Sequence, residues 1–271
     1  MTHHKVSVGN VEIISLSDCM YDHLAARLFP KVSTDDWDRY PGTVSPEGTL
    51  KINYGCFAVR SQGQTILVDT GMGPDFPGHL LDELKAKGLD RNEVTVVAIT
   101  HLHRDHVGWN ITRDNEPPGL TFPKARYWIP KADWEHYRQP QQLEHAPHIK
   151  SMVLPLEELG ALQLVDGETS ITSEVTMVPT PGHTLGHMSI AISSQGQRGF
   201  ILGDVVHFPF QLQETAWEII FNQDQEQACR TREAVLERLE DDGSLVGAGH
   251  FMPPSFGRVV RSQGRRHWQG I

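Results

Sequence analysis

Residues 94–109, VTVVAITHLHRDHVGW, place an apolar run directly before three histidines and one aspartate. The run at 94–99 is typical of a buried strand, so the polar residues begin where that strand ends. Imidazole and carboxylate groups are the usual ligands of zinc and related metals. A solvated, histidine-rich loop is the alternative interpretation, and it becomes weaker if further ligands recur in the same context. The candidate ligands on this loop are His101, His103, Asp105 and His106.

Three later segments repeat this arrangement, because each places a candidate ligand just after a short apolar strand. VPTPGHTLGH carries His183, FILGDVVH carries Asp204, and LVGAGH carries His250. Each candidate adjoins glycine, which allows backbone segments to approach closely. Strand ends gather at one edge of a sheet, so ligands that are distant in sequence can meet there. The sequence therefore predicts one shared metal site.

The rest of the chain predicts short strands with few helices and no internal repeat or linker, so we expect one domain over residues 1–271. Residues 18–50 lose the strand pattern and predict a long irregular loop or lid. Residues 140–160 also look irregular, and the strand at 245–250 is expected to close the regular part. Strands are predicted at 6–16, 51–60, 65–68, 94–99, 125–129, 163–165, 175–178, 188–192 and 199–202, and helices at 79–87, 131–137 and 224–239.

Composition excludes several classes of partner. The net charge of −10 argues against a nucleic acid or an anionic membrane surface as the main partner. The first residues lack the apolar stretch of a signal peptide, and no run reaches the length of a membrane span. The three cysteines are far apart, which is typical of a reducing cytoplasm. We therefore expect a cytoplasmic protein, in which His3 and His4 are incidental.

Taken together, these motifs resemble the metallo-β-lactamase superfamily of metallohydrolases. The resemblance covers about residues 51–250 and includes Asp69 in LVDTG, the His-x-His-x-Asp-His stretch, the PGHT histidine, the GD aspartate and the last-strand histidine. It implies an α/β fold, the αβ/βα sandwich of that superfamily. It also implies two divalent metal ions, with zinc expected and manganese, iron or cobalt held by the same ligands.

The resemblance further implies a role for each candidate residue. Asp69 would orient the ligand loop through hydrogen bonds rather than bind metal. His187 would either support the site in the same way or be a buried structural histidine, and both interpretations stay open here. The first metal would be held by His101, His103 and His183, the second by Asp105, His106 and His250, and Asp204 would bridge the two.

This ligand set predicts hydrolysis of an acyl or phosphoryl centre. Two divalent ions can share a hydroxide that acts as the nucleophile at neutral pH. The sequence has no Gly-x-Ser-x-Gly motif, so a serine nucleophile is not expected. Asp105, or a metal-held water, would then move the proton to the leaving group.

Within the superfamily, the chain resembles the branch of N-acyl-homoserine lactonases and methyl parathion hydrolase-like enzymes. Typical lactonases have a tyrosine three residues after the bridging aspartate, whereas this chain has His207, as the organophosphate-hydrolase-like members do. His207 would donate a hydrogen bond to a carbonyl or phosphoryl oxygen, or would merely line the pocket. We expect a small apolar lactone or ester as substrate, a role in quorum quenching, and a pocket lined by Trp109 and Phe208.

Three alternatives to this function remain open. One is an organophosphate or aryl-ester hydrolase of the phosphotriesterase type. The second is a non-catalytic, metal-binding sensor of the same fold. The third, a mononuclear iron oxygenase, is disfavoured because it would leave Asp105, His106 and His250 without a role. The long irregular N-terminal segment and the apolar loops also suggest a homodimer.

Overall fold

The computed structural model describes residues 4–112 and 117–271, so His3 lies outside the described residues. Most of its strands belong to two seven-stranded sheets. The strands are β1 (Lys5–Val8), β2 (Val11–Leu24), β3 (Thr49–Ser61), β4 (Gln64–Val68), β5 (Val96–Ala98), β6 (Ile111–Thr112), β7 (Gly119–Leu120), β8 (Arg126–Pro130), β9 (Leu162–Val165), β10 (Thr169–Ser170), β11 (Val175–Pro179), β12 (Met188–Ser194), β13 (Gln197–Ile201), β14 (Leu245–Gly247), β15 (Phe256–Ser262) and β16 (Arg265–Gly270). The first sheet has the order β1-β2-β3-β4-β5-β8-β9, the second runs β10 to β16 in sequence order, and β6 pairs with β7.

Eight α-helices accompany the sheets in the described ranges. They are α1 (Ala25–Leu28), α2 (Thr34–Trp37), α3 (Leu80–Ala86), α4 (Arg104–Val107), α5 (Lys131–Tyr137), α6 (Pro140–His145), α7 (Pro155–Glu158) and α8 (Gln225–Asp242), with 3₁₀ turns at Arg91–Glu93 and Pro209–Leu212 and a π-helical turn at Ile149–Val153. None of the helices in the described ranges is long and apolar enough to cross a membrane.

Strand β5 shows why the run before the histidines is apolar at nearly every position. Val96 and Ala98 face the second sheet, where they join one buried cluster. Val97 and Ile99 face the helices and join another. A parallel strand that is covered on both faces reads as a continuous hydrophobic run, as this one does.

The buried clusters show how the helices and the two sheets are layered. Residues of both sheets, among them Phe57 and Ile190, pack between the sheets. Leu84 of α3 packs on the outer face of the first sheet, and Leu236 of α8 packs on that of the second. The order helix, sheet, sheet, helix confirms the predicted α/β fold, an αβ/βα sandwich.

Three parts of the chain are more regular than the sequence predicts. The segment 18–50, expected to be irregular, continues β2 to Leu24 along its partner β3 and then contains the short helices α1 and α2. The segment 140–160 contains α6, α7 and the π-helical turn. Strands β15 and β16 follow the strand that was expected to be last.

The long helix lies close to its predicted bounds. The Asp224 carboxylate accepts a hydrogen bond from the Gln227 N–H at 2.9 Å, which caps the first turn. Gly243 ends the helix with φ of 60°, a left-handed conformation that glycine adopts without strain.

Candidate metal centre

The candidate ligands of the first predicted metal meet at the carboxyl ends of β5, β11 and β13. His103 Nδ1 lies 3.1 Å from His101 Nε2 and 2.9 Å from His183 Nε2. His183 Nε2 also lies 3.1 Å from Asp204 Oδ2. One ligand atom from each of these four residues falls within 4.8 Å of the others, and the group is largely buried.

A second group shares Asp204 with the first. His106 Nε2 lies 3.2 Å from Asp105 Oδ2 and 3.3 Å from Asp204 Oδ1. His250 Nε2 lies 3.0 Å from the same oxygen, Asp204 Oδ1. The two oxygens of Asp204 therefore face different groups. The structure brings all seven predicted ligands together in this way.

The chemistry of these atoms fits divalent cations. Within the described residues, His106 Nε2 and Asp204 Oδ1 are buried and have no hydrogen-bond partner. Leaving such atoms unsatisfied costs about 1–3 kcal/mol each, which a bound cation offsets. The donors are three imidazoles and a carboxylate in one group, and two imidazoles and two carboxylates in the other. Zinc and its neighbours take this kind of donor set.

Hydrogen bonds on the far side of each ring fix which nitrogen faces the centre. His250 Nδ1 donates to the Asn53 carbonyl at 2.9 Å, and His183 Nδ1 donates to the Asn222 Oδ1 at 2.9 Å. His106 Nδ1 lies 2.8 Å from Asp69 Oδ2. In these three rings Nε2 is therefore the nitrogen that faces the centre and that a metal would take.

Asp69 lies behind the ligand loop. Its carboxylate accepts hydrogen bonds from the Thr100 N–H at 2.7 Å and from the Thr100 hydroxyl at 2.8 Å, besides the one from His106. Its φ is 61°, a left-handed value that is uncommon outside glycine. Strained backbone of this kind persists where the surrounding contacts determine the conformation, and three hydrogen bonds do so here.

His187 is buried and holds the backbone of the shared aspartate. Its Nε2 accepts from the Asp204 N–H at 2.8 Å, so Nδ1 carries the proton and donates to the Thr180 carbonyl at 3.0 Å. Burial lowers the pKa of His187 to about 3, which keeps the ring neutral. Gly203 allows this contact, because a Cβ there would lie 2.6 Å from His187 Nε2.

Asp133 on α5 links the two histidine loops, and sequence reasoning missed it. Its carboxylate accepts from the Leu102 N–H at 3.0 Å, the Thr184 hydroxyl at 2.8 Å and the Gly186 N–H at 2.6 Å. Burial raises its pKa, although these hydrogen bonds oppose the effect. A single aspartate in a short helix carries no local signal of this role.

The histidines of the two groups differ in their electrostatics. Burial lowers the pKa of His101 and His103 well below the usual range, and the neighbouring histidines add to the effect. Burial also lowers the pKa of His106, but the charges of Asp204, Asp105 and Asp69 outweigh it and raise the value. The second group therefore has the greater density of negative charge.

A cavity of about 350 Å³ opens onto both groups. Ile52, Met72 and Phe221 give it apolar walls. Tyr54 and His23 also line it, and the Tyr54 hydroxyl lies 2.8 Å from His23 Nε2. A small molecule in this cavity would contact both the ligands and an apolar surface.

His207 lies between the ligands and the cavity. Its Nε2 is 3.2 Å from Asp204 Oδ2, and its ring stacks on that of His250 with centroids 5.1 Å apart. Both ring nitrogens are buried, and neither has a hydrogen-bond partner in the described ranges. Burial lowers the pKa of His207 to about 4, so the ring is neutral at neutral pH.

Trp109 and Phe208, which were predicted to line the pocket, do not line this cavity. Trp109 packs against the first buried cluster, and its Nε1 donates to Asp18 Oδ1 at 2.9 Å. Phe208 lies in an aromatic cluster, stacked on Phe210 with centroids 5.1 Å apart. Closeness in sequence to a ligand does not decide which way a side chain points.

Two of the lining residues that sequence reasoning missed come from a strand without ligand motifs. Ile52 and Tyr54 are two residues apart on β3, so they share one face of the strand. That spacing was the available signal. Nothing in the sequence indicated that the end of β3 lies beside the ligand loops.

Comparisons with known proteins agree with this site. The sequence profile of the Metallo-beta-lactamase superfamily matches residues 55–250. An N-acyl homoserine lactonase from a Bacillus species is 22% identical over 212 residues, which are 70% of this chain and 72% of the relative. Among solved structures, the hydrolase AbOPH of the beta-lactamase superfamily has a TM-score of 0.87 and 23% identity, over 100% of this chain and 97% of that one.

A second solved structure is AidC, described as a dizinc quorum-quenching lactonase in complex with a product. It has a TM-score of 0.83 and 21% identity, over 98% of this chain and 96% of that one. These likenesses concern the fold, whereas the profile match covers most of the chain, including every motif of the site. The chain belongs to the metallo-β-lactamase superfamily of hydrolases.

Proposed function

We propose that the protein is a dinuclear metal hydrolase that opens a lactone or cleaves an ester. The observation that carries the proposal is Asp204, whose two oxygens serve two groups of ligands at one cavity. The apolar walls favour a substrate with a small apolar part. The matching lactonase from a Bacillus species supports the same substrate class.

The residues would divide between the two cations as the sequence predicts. His101, His103 and His183 would hold one, Asp105, His106 and His250 would hold the other, and Asp204 would serve both. When bound, such ions supply an activated water and polarise the substrate oxygen. Zinc suits the donors best in our proposal, and manganese, iron or cobalt would use the same atoms.

Asp105 is placed to move a proton. It lines the cavity, and its Oδ2 lies 3.2 Å from His106 Nε2 and 3.7 Å from His250 Nε2. Burial raises the pKa of Asp105, but His106 and His250 outweigh burial and hold it below the usual range. The carboxylate is then ionised at neutral pH. It would accept a proton from the attacking water, at the oxygen that a cation leaves free, and return it to the leaving oxygen.

His207 would position the other end of the reacting group. A neutral imidazole that carries its proton on Nε2 can donate to a carbonyl or phosphoryl oxygen in the cavity. This residue also favours the second candidate function, the hydrolysis of aryl esters or organophosphates, because His207 replaces the tyrosine typical of lactonases. A metal-binding sensor without turnover is the non-enzymatic alternative.

A substrate panel tests the proposal. It contains acyl-homoserine lactones, simple γ- and δ-lactones, aryl esters and an aryl phosphotriester, and it uses protein of measured metal content. We expect two metals per chain, hydrolysis of lactones in preference to the phosphotriester, and loss of activity in His250→Ala and Asp204→Ala. Preference for the phosphotriester would favour the second candidate. Two metals per chain without turnover of any compound would contradict both and support the sensor.

The remaining expectations stay predictions. Hydrolysis of acyl-homoserine lactones would give the protein a role in quorum quenching. A cytoplasmic location and a homodimer follow only from the sequence. Sedimentation at several protein concentrations tests the dimer, and a monomer mass that does not change with concentration would contradict it.

A further inference from the structure

Arg104 is the only lysine or arginine among the described residues that line the cavity. It lies on α4 between two ligands, His103 and Asp105. Its guanidinium carbon is 4.3 Å from the centroid of the Phe76 ring, a stacking contact that fixes the position of the charge. The side chain is 42% exposed, which places this cation where the cavity meets solvent.

The guanidinium retains hydrogen-bonding capacity toward a ligand. Arg104 Nη2 forms an ion pair with Asp75 Oδ2 at 3.9 Å, a distance too long for a hydrogen bond, so its N–H donors remain available. Arginine has five N–H donors in a planar fork that matches the two oxygens of a carboxylate. An arginine held at a rim by stacking is therefore prepared to bind a planar anion there.

Arg104 supplies the positive charge on this side of the cavity. His148 also lines the cavity, and its Nε2 donates to the Leu102 carbonyl at 3.0 Å. Burial lowers the pKa of His148, and the charge of Arg104 adds to the effect, so the positive charge belongs to Arg104 alone. The protein carries a net charge of −10, which repels anions from most of its surface.

We propose that the substrate is an ester or lactone with a carboxylate remote from its reacting carbonyl, and that Arg104 binds this carboxylate. The inference rests on the proposed function and deepens it. Such a substrate would be held at both ends. Its reacting carbonyl would lie at the ligand groups at the bottom of the cavity, and its carboxylate would bind Arg104 at the mouth. Capture of the carboxylate at the mouth leaves the reacting carbonyl to face Asp105 and His207. The apolar middle of the substrate would lie along Ile52.

Two chromogenic esters test the proposal directly. Mono-4-nitrophenyl glutarate and 4-nitrophenyl pentanoate have acyl chains of equal length and differ only in a terminal carboxylate or methyl group. For the metal-loaded protein we expect kcat/KM for the glutarate ester to be about tenfold higher or more, as one charge-assisted hydrogen bond allows. Arg104→Gln should remove the preference by raising KM for the glutarate ester, so that the ratio of kcat/KM between the two esters falls to about one.

Arg238 provides a matched control far from the cavity. Its guanidinium carbon lies 5.4 Å from the centroid of the Phe200 ring, and its Nε lies 3.8 Å from Asp242 Oδ2. Arg238→Gln makes the same change of charge and should leave both esters unaffected. Salt gives a second readout, since raising it from about 0.01 M to about 1 M shortens the screening length from roughly 30 Å to 3 Å. The glutarate preference should fall with salt in the wild type and in Arg238→Gln, and Arg104→Gln should show no such dependence.

The outcomes separate this inference from the proposed function. Equal rates on the two esters, or a preference that survives Arg104→Gln, would overturn the role of Arg104 and leave the hydrolase intact. If neither the esters nor any lactone is hydrolysed, the proposed function fails. Calorimetry with the monoamide of glutarate and with pentanamide then decides, without turnover. Tighter binding of the monoamide that is lost in Arg104→Gln supports the anion site, and equal binding of the two amides refutes it.

Discussion

At the scale of single residues, Asp69 orients the candidate ligand His106 without being a candidate ligand itself. It accepts from both donors of Thr100 and from His106, and it does so from a left-handed backbone conformation. Such a conformation costs of order 1–3 kcal/mol in a residue other than glycine. The hydrogen bonds of the carboxylate offset this cost, and one of them orients His106 toward the second group.

Asp69→Asn isolates the effect of the carboxylate charge. Asparagine tolerates the left-handed conformation, so the backbone should keep its shape. The amide loses the charge that orients His106, and removing a partner of this kind weakens metal affinity by about 10–100-fold. We expect faster loss of metal to a chelator at an unchanged circular dichroism spectrum. A variant that loses metal no faster than the wild type would show that Asp69 serves the fold alone.

At the scale of elements, α8 holds the segment that follows Asp204. Arg232 on this helix is fully buried, with Nε 2.9 Å from the Val205 carbonyl oxygen. Its Nη1 donates to the carbonyls of Thr215 at 2.6 Å and Trp217 at 3.3 Å. One guanidinium thus fixes both ends of the stretch that carries His207.

Arg232→Met should destabilise the protein. The substitution leaves buried carbonyls without a donor. The first costs about 1–3 kcal/mol, and partial relaxation reduces the cost of the others, so we expect the free energy of unfolding to fall by about 2–4 kcal/mol. Urea unfolding measures the change. Arg238→Gln, on the exposed side of the same helix, should stay within about 0.5 kcal/mol of the wild type. Equal effects of the two substitutions would contradict this role of Arg232.

The elements also show what the sequence could predict. The apolar strands before the ligands were recognisable because both of their faces are buried. Helices α6 and α7 were not predicted because each spans fewer than two turns, too short for a helical period to show; Pro140 and Pro155 stand in their first turns, where proline is favoured. The ligands were identified by residue type and spacing. Lining residues such as Ile52 were not, because their place depends on how the strands pack.

At the scale of the whole molecule, the site joins the two halves of the sandwich. His101, His103, Asp105 and His106 follow a strand of the first sheet, whereas His183, Asp204 and His250 follow strands of the second. A cation that binds both sets therefore stabilises the contact between the sheets. Metal binding and folding are linked in such a case.

Removal of metal should lower the melting temperature. A ligand at one hundred times its Kd stabilises the folded state by about 2.7 kcal/mol, which in a chain of this size corresponds to roughly 5–10 °C. Calorimetry after dialysis against a chelator measures the shift, and added zinc should reverse it. In His250→Ala, removal of metal should lower the melting temperature by less than in the wild type. An unchanged melting temperature after complete removal of metal would contradict the link.

The cavity wall and the ligand loops are built by different parts of the chain. Ile52 and Tyr54 stand on β3, and His23 stands on β2, whereas the candidate ligands stand on loops after other strands. Changes of the side chains of His23 or Ile52 can therefore reshape the wall while the backbone carbonyl of Asn53 on β3 keeps its hydrogen bond to His250. This modularity makes the protein evolvable, because new substrates can be acquired by changes in one hairpin while the reaction chemistry is inherited intact.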